Sequence, residues 1–492
     1  MHKLISIALF SAALGSPGLI QAAPPDEVDE LKAQVEALKA TVQRLEAKID
    51  ALASSRAAAT PAPAPAIPTP APAPPAPAQA PAAVPPAGAA RSAALAAQAG
   101  ASQTVIKDRD RISDEQRAAP RVDNELIDPE LKGFFHFPGT DAIAKIDGYI
   151  KMDFIHDLKY AGDPSLFITS QIPVPPLGPQ GQISNLQFKE STLNFELRRD
   201  TPHGNLRFVY ENNFFGSNGS AGFNLRNAYG QLGNFLVGFS YTDFMDVDAL
   251  ADTLDFEGPG SSVFVNQAQF RVMKKLGDYQ TVSASVEAPA GEVKFPVQIA
   301  TPLSPWPDGV VNWRLEGDVG HLQVAALFRD ISLNAANREA STFGWGTNVT
   351  GSITPFGNDN LVFQVAYGHG MSRYFEDTAG LGLDAAVNSN LQLVAIPAFG
   401  TYASYQHFWT KNLRSSLTYG YYKVQPTGIQ SSDTFEISSY ASGNLIWRPA
   451  GSMIVGAEYI YGWQQLQNGR RGIGSRIQVS AGYNPFRRTK PE

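Results

Sequence analysis

The chain has 492 residues, 43% of them hydrophobic, 10% aromatic and 17% charged, which is enough for a large core or several domains. A formal net charge of −7 offers no dominant basic surface to displace phosphate counterions, so the composition argues against a general nucleic-acid binder. Cysteine is absent, which removes disulfide frameworks, thiolate metal sites and cysteine nucleophiles together.

At the N-terminus, Lys3, the apolar run from Leu4 to Leu14, the Gly/Pro break at Gly15 to Gly18 and the small residues Ala22 and Ala23 form a secretory signal pattern, with cleavage expected after Ala22. Its apolar run of about 11 residues falls short of the ~20 that a spanning helix needs, and no later segment supplies a long uncharged apolar run. The expected product is an exported protein, soluble or a β-barrel.

Residues 26–55 carry Val28, Leu31, Val35, Leu38, Val42, Leu45, Ile49 and Leu52 in unbroken 3,4 spacing, with β-branched residues at a and leucine at d. This predicts a short parallel coiled coil. The alternative is an amphipathic helix docked on a domain, but Pro-rich sequence follows at once and leaves such a helix no neighbour. Self-association is the inference; the a/d preference leans towards two chains, and valine at a discriminates weakly.

Residues 60–130 read as a linker. From Thr60 to Gly88 the chain is almost wholly Pro and Ala, which cannot build a core and favours polyproline II. At roughly 3.1 Å per residue that stretch could reach on the order of 80 Å. The next stretch, Ala89 to about Ala119, adds Ala, Arg and Asp without periodicity, and no binding site is assigned to it.

Residues 134–486 change texture to glycine-rich and aromatic segments with period-2 alternation, and a polar tail, residues 487–492, follows. In "AKIDGYIKMDFIHDL", Ile146, Ile150, Met152 and Phe154 share one face while Lys145, Asp147, Lys151 and Asp153 share the other. Sixteen such segments are expected, an even number that returns both barrel termini to one side. Turns such as Gly233 to Asn234, Asp318 to Val319 and Thr410 to Lys411 are two residues long, whereas links such as Leu158 to Leu186 run to roughly 30. Long and short connections are expected to alternate all the way round. That order favours an all-β, 16-stranded antiparallel transmembrane barrel over a secreted β-sandwich or solenoid.

No catalytic constellation emerges, since His321, His369 and His407 are scattered and no HExxH occurs. In the phase opposite to the apolar stripe lie Lys151, Arg207, Arg226, Arg271, Arg314 and Arg329, from different strands, which closure would bring onto one inner surface. They are either a network paired with lumenal acids or a constriction that attracts anions. Between the fifth and sixth strands, "DFMDVDALADTLDFEGPG" supplies Asp246, Asp248, Asp252, Asp255 and Glu257 with no basic residue. Its position resembles that of the third long loop of sixteen-stranded general porins, which folds into the lumen; that resemblance implies an inward loop here, which Lys151, Arg207, Arg226 and Arg314 are expected to face.

The acidic loop followed by "VFVNQAQFR", then "GHLQVAALFRD", "DNLVFQVAYGHGMSRY" and "YQHFWTKNLRSSLTYGYY", resembles the DcaP-like outer-membrane porins over about Ile146 to Phe486. The resemblance implies a homotrimer of sixteen-stranded barrels with a periplasmic coiled coil, passing small organic anions such as dicarboxylates. The chain departs from the family pattern at Asn266, where arginine is usual, and at Phe486, which "RRTKPE" follows. The expectation is a non-enzymatic porin of the Gram-negative outer membrane, without cofactor or metal, its N-terminal region periplasmic and a candidate for cell-wall contact. A barrel that merely tethers the cell wall and a barrel hydrolase are the alternatives.

Overall fold

The structure is a computed structural model that describes residues 116, 118–122, 131, 133–175, 181–216, 220–293, 300–335, 338–388, 392–426 and 430–486. The expected signal peptide, the heptads, most of the linker and the polar tail lie outside the described residues.

Strand β1 is Ile143–Lys159, and β2 comes in two pieces, Ile183–Gln187 and Thr192–Thr201. Then follow β3 (Gly204–Phe215), β4 (Ala221–Leu232), β5 (Phe235–Tyr241), β6 (Asn266–Lys275) and β7 (Gln280–Glu287). Strand β8 is also in two pieces, Ala300–Leu303 and Asp308–Gly317, followed by β9 (Gly320–Ala335), β10 (Arg338–Ile353), β11 (Asn360–His369) and β12 (Pro397–Phe408). The wall ends with β13 (Leu413–Val424), β14 (Phe435–Ala450), β15 (Met453–Leu466) and β16 (Arg471–Tyr483). Every neighbour pair is antiparallel, and β16 returns to β1 from Ile150↔Tyr483 to Lys159↔Ser475, so the sixteen-strand sheet is closed. Closure pairs the strands' backbone groups within the wall, which a hydrocarbon environment demands.

The alternation read in the sequence sets the two faces. Ile150 is 62% exposed and Leu417 70%, whereas their neighbours Lys151 and Ser416 are 2% and 1% exposed. A continuous outward band of this kind, with Phe223, Val237, Phe343 and Val479 in it, is an aggregation hazard in water and a fitting surface for lipid.

Short turns such as residues 233–234 and 318–319 lie at one end, which the barrel rule makes periplasmic. The expected alternation of long and short links fails at the other end. There β9 and β10 are separated by only two positions, 336 and 337, and β15 and β16 only by residues 467–470. Period-2 sequence continues through these hairpins, so both β9 and β10 extend to 16 residues and keep their backbone groups paired where a loop was expected. The turn expected at Thr410 and Lys411 is also longer, residues 409–412, because Thr410 Oγ1 accepts from the Asn412 and Leu413 amides at 3.2 and 3.0 Å.

The largest apolar core lies inside the barrel, formed by loops that turn inward: Phe244, Met245 and Val263 from the link after β5, and Met371, Tyr374 and Phe375 from the link after β11. Wall glycines make room for them. A Cβ on Gly346 would come within 2.6 Å of Met371 Sδ, and one on Gly420 within 2.7 Å of Pro259 Cβ and Ser261 Oγ.

Candidate functional site

Residues 242–265, the acidic link after β5, fold into the lumen as a constriction loop, and lumenal side chains hold its backbone from one strand after another. Asn312 of β8 donates to Asp243 O (2.9 Å), Gln323 of β9 to Met245 O (3.0 Å), and Asn348 of β10 to Phe244 O (2.9 Å). Tyr402 of β12 donates to Ala249 O (2.9 Å), Asn444 of β14 to Asp252 O (2.7 Å), and Gln478 of β16 to Leu254 O (2.8 Å). Lys151 of β1 also donates to Leu254 O, at 2.6 Å. Buried carbonyls left unpaired would each be costly, and this wall satisfies them along an arc from β8 round to β1.

The loop carboxylates divide into two groups by what faces them. Burial alone would raise Asp246, but His321 Nε2 at 2.7 Å and Arg314 Nη1 at 3.0 Å hold it well below the usual carboxylate range. Asp248 is likewise held low against burial, by Arg121 at 2.5 Å and Arg314 at 2.7 Å. Asp252 lies below its ordinary value because Arg414 grips it through Nε and Nη2 at 2.7 and 2.9 Å. Asp255 behaves oppositely: burial pushes it up to about 6 despite amide bonds from Phe167 (3.2 Å) and Gly258 (3.1 Å). Glu257 is pushed well above its usual range by burial and by the neighbouring carboxyls of Glu376, Asp255 and Asp377. Glu376 rises to about 8, again chiefly through burial, with Arg226 opposing.

The six candidate cations do not form one ring. Lys151 pairs with Glu190 and lies 3.5 Å from Asp153. Arg226 stands over the rings of Tyr241, Phe256 and Phe264 at 4.8–5.8 Å, so it faces the loop through aromatic rings. Arg271 meets the base of the loop, 3.3 Å from Asp243. Arg314 joins Asp246, Asp248 and Glu316. Arg207, expected to face the loop, bonds to the wall and to the segment before β1: its guanidinium pairs with Glu196 (2.7 Å) and donates to Tyr229 Oη (2.8 Å) and Ala119 O (3.3 Å). Arg329 is also away from the constriction loop, bonded to Asp308 (3.0 Å), Asp384 (3.0 Å) and the Gly370 carbonyl (2.5 Å), where the link after β11 turns inward.

A cavity of about 430 Å³ runs beside the loop to the periplasmic rim, lined by Lys151, Glu190, Asp248, Asp252, Asp255, Glu257, Arg414 and Arg448 among others. Of the six cations singled out in the sequence, Lys151 lines it; of the five loop acids, Asp246 stands behind it. Three participants carried no clear sequence signal. Arg121 lies in linker composition, while Glu190 falls at the break between the two pieces of β2. Glu376 sits in a link whose inward course only its aromatic run, Tyr374 and Phe375, hints at. Among the described residues, no group of three or more His, Asp or Glu side chains could hold a metal ion.

A closed barrel with an apolar outer band, a charged lumen and an inward loop beside a polar cavity defines an outer-membrane porin. The chain belongs to the DcaP outer membrane protein family, whose model matches residues 139–485. Among solved structures, the outer membrane channel DcaP of Acinetobacter baumannii is 19% identical, with 72% of this chain and 100% of that one covered at a TM-score of 0.64. OmpT of Vibrio cholerae (11% identity, 71% and 99% covered, TM-score 0.42) and an anion-selective porin of Comamonas acidovorans (11%, 70% and 99%, 0.46) are more distant. Comparison with curated proteins finds no match. The protein is a channel of the Gram-negative outer membrane and not an enzyme.

Proposed function

We propose that the channel passes small hydrophilic solutes by diffusion and favours organic anions, dicarboxylates foremost. The observation that carries this reading is Arg414. Asp252 engages only the Nε–Nη2 edge of its guanidinium, the group lines the cavity, and the Nη1–Nη2 edge has the fork geometry that a solute carboxylate fits. The loop acids work against anions less than their number suggests. Asp246, Asp248 and Asp252 are each compensated by arginine, and burial among other carboxyls pushes Glu257 well above its usual range, which disfavours its charged form. Of the six cations Lys151, Arg207, Arg226, Arg271, Arg314 and Arg329, we place Lys151 on the solute path, since it lines the cavity. Liposome swelling tests this: a four-carbon dicarboxylate enters faster than a diamine of equal length, and Arg414→Gln narrows the gap. Equal rates for both solutes, or faster diamine entry, contradict the preference.

We further infer a homotrimer with a periplasmic N-terminal region. The heptads from Val28 to Leu52 support self-association, and the family resemblance supports three chains. The Pro/Ala-rich stretch is long enough to carry that region towards the cell wall. Native mass measurement of the full chain in detergent reads the number directly, and a monomer would contradict it.

A further inference from the structure

Residues 118–122 lie inside the barrel although they precede its first strand. Tyr229 Oη of β4 donates to Ala118 O (2.8 Å), Arg207 Nη1 of β3 to Ala119 O (3.3 Å), and Gln231 Nε2 of β4 to Arg121 O (2.7 Å). Ala118 packs with Val209, Leu236 and Met273, with Val122 alongside. Ala118 and Ala119 are each 5% exposed, and the three carbonyls accept from the wall as the constriction loop's carbonyls do on the far side. From this position Arg121 reaches across to the loop and binds both oxygens of Asp248, at 2.8 and 2.5 Å. The constriction loop's carbonyls are bonded from β8 round to β1; those of residues 118–122 are bonded from β3 and β4, with Leu236 of β5 and Met273 of β6 packed alongside. The two inserts meet at the Arg121–Asp248 pair, beside the cavity that Asp248 lines.

We propose that residues 118–122 are a second constriction element and that Arg121 is a specificity-determining residue of the channel, supplied by a segment outside the barrel wall. Tyr229 and Gln231 lie next to the short turn at residues 233–234, so the strap occupies the periplasmic half of the lumen. Arg121 and Arg314 together compensate Asp248 and part of Asp246. Without Arg121, a positive charge leaves the lumen beside the cavity that Asp248 lines, and the strap loses its bond to the loop. Conductance then rises and selectivity moves towards cations, both measured against the wild-type value, so the inference does not depend on which ion the wild type prefers.

Because the chain has no cysteine, Arg121→Cys in the full-length protein gives a single addressable thiol. In planar bilayers, Arg121→Cys is expected to raise single-channel conductance and shift the reversal potential in a KCl gradient towards cations. Attaching a cationic methanethiosulfonate restores both towards wild type, whereas an anionic one moves the reversal potential further away. Gln231→Ala, which removes a strap anchor without touching charge, raises conductance and leaves the reversal potential unchanged. If Arg121→Cys yields no channels, Arg121→Lys and Gln231→Ala carry the test, with the reversal potential retained in both and the conductance raised in the second. Wild-type conductance and reversal potential in Gln231→Ala and in every state of the cysteine variant, or in both substitute variants where the cysteine variant gives no channels, overturn the proposal.

Discussion

The two sides of the lumen are covered by different chemistry. From β8 round to β1 the wall meets an acidic loop with arginines, a histidine and amides; from β3 to β6, where Arg226 and Arg271 also reach that loop, it holds five linker residues through their backbone carbonyls and the apolar packing around Ala118. An interface built on buried ion pairs depends on each partner, since removing one strands a charge in low dielectric. An interface built on neutral hydrogen bonds gives way in smaller steps. The loop side therefore fixes the pore's shape, and the strap side is where it can yield.

Substitutions on the loop side carry the largest expected effects. Arg314→Gln leaves Asp248 with Arg121 alone and Asp246 without an arginine and is expected to cost about 3–5 kcal/mol. The temperature at which the folded barrel loses its fast gel migration reads this loss, and the reversal potential shifts towards cations. Gly420→Val drives a side chain into Pro259 and Ser261 and, as overpacking, costs about 1–3 kcal/mol. Displacement of the loop tip appears as a raised and noisier single-channel current.

Tyr229→Phe on the strap side removes the bonds to Ala118 O and to Arg207 and is expected to cost only about 0.5–1.5 kcal/mol. Its signature is brief excursions to higher conductance with unchanged selectivity; a loss of stability as large as that of Arg314→Gln would erase the contrast between the two sides.

The smallest expected effect is graded and belongs to the loop side. Asp255, at about 6, and Glu376, at about 8, are protonated at pH 5 and ionised at pH 9. Raising the pH therefore adds negative charge beside the cavity and moves the reversal potential towards cations; lowering it does the reverse. Asp246, Asp248 and Asp252 stay ionised throughout and contribute nothing to the shift. The same pH shift in Tyr229→Phe as in the wild type places the titration on the loop; its loss there would place it on the strap.

The same contrast explains what could be read from the amino acids alone. Period-2 alternation in Ile146 to Phe154 states which residues share a face, and the expected export signal together with short turns such as Gly233 to Asn234 points to which face meets lipid. The acids of the loop were legible because six carboxylates without a base need cations, and a closed wall brings those cations to them. Which cation meets which acid was not legible. Arg207 and Arg329 share the inner phase with Arg314, and only the course of the inserted segments separates their partners. The strap left no trace because backbone carbonyls are the same in every residue, so Ala118 and Ala119 carry no pattern that distinguishes a bound segment from a linker. The long hairpins β9–β10 and β15–β16 were misjudged for a related reason: alternation continues past the bilayer, and strand sequence does not say where the membrane ends.

Single-channel recording of the full-length chain in a KCl gradient tests the central claim most directly. Discrete conductance steps whose reversal potential favours chloride are expected, with the preference weakened in Arg414→Gln. A potassium-favouring reversal potential in the wild type, unmoved by Arg414→Gln, would contradict an anion-favouring porin.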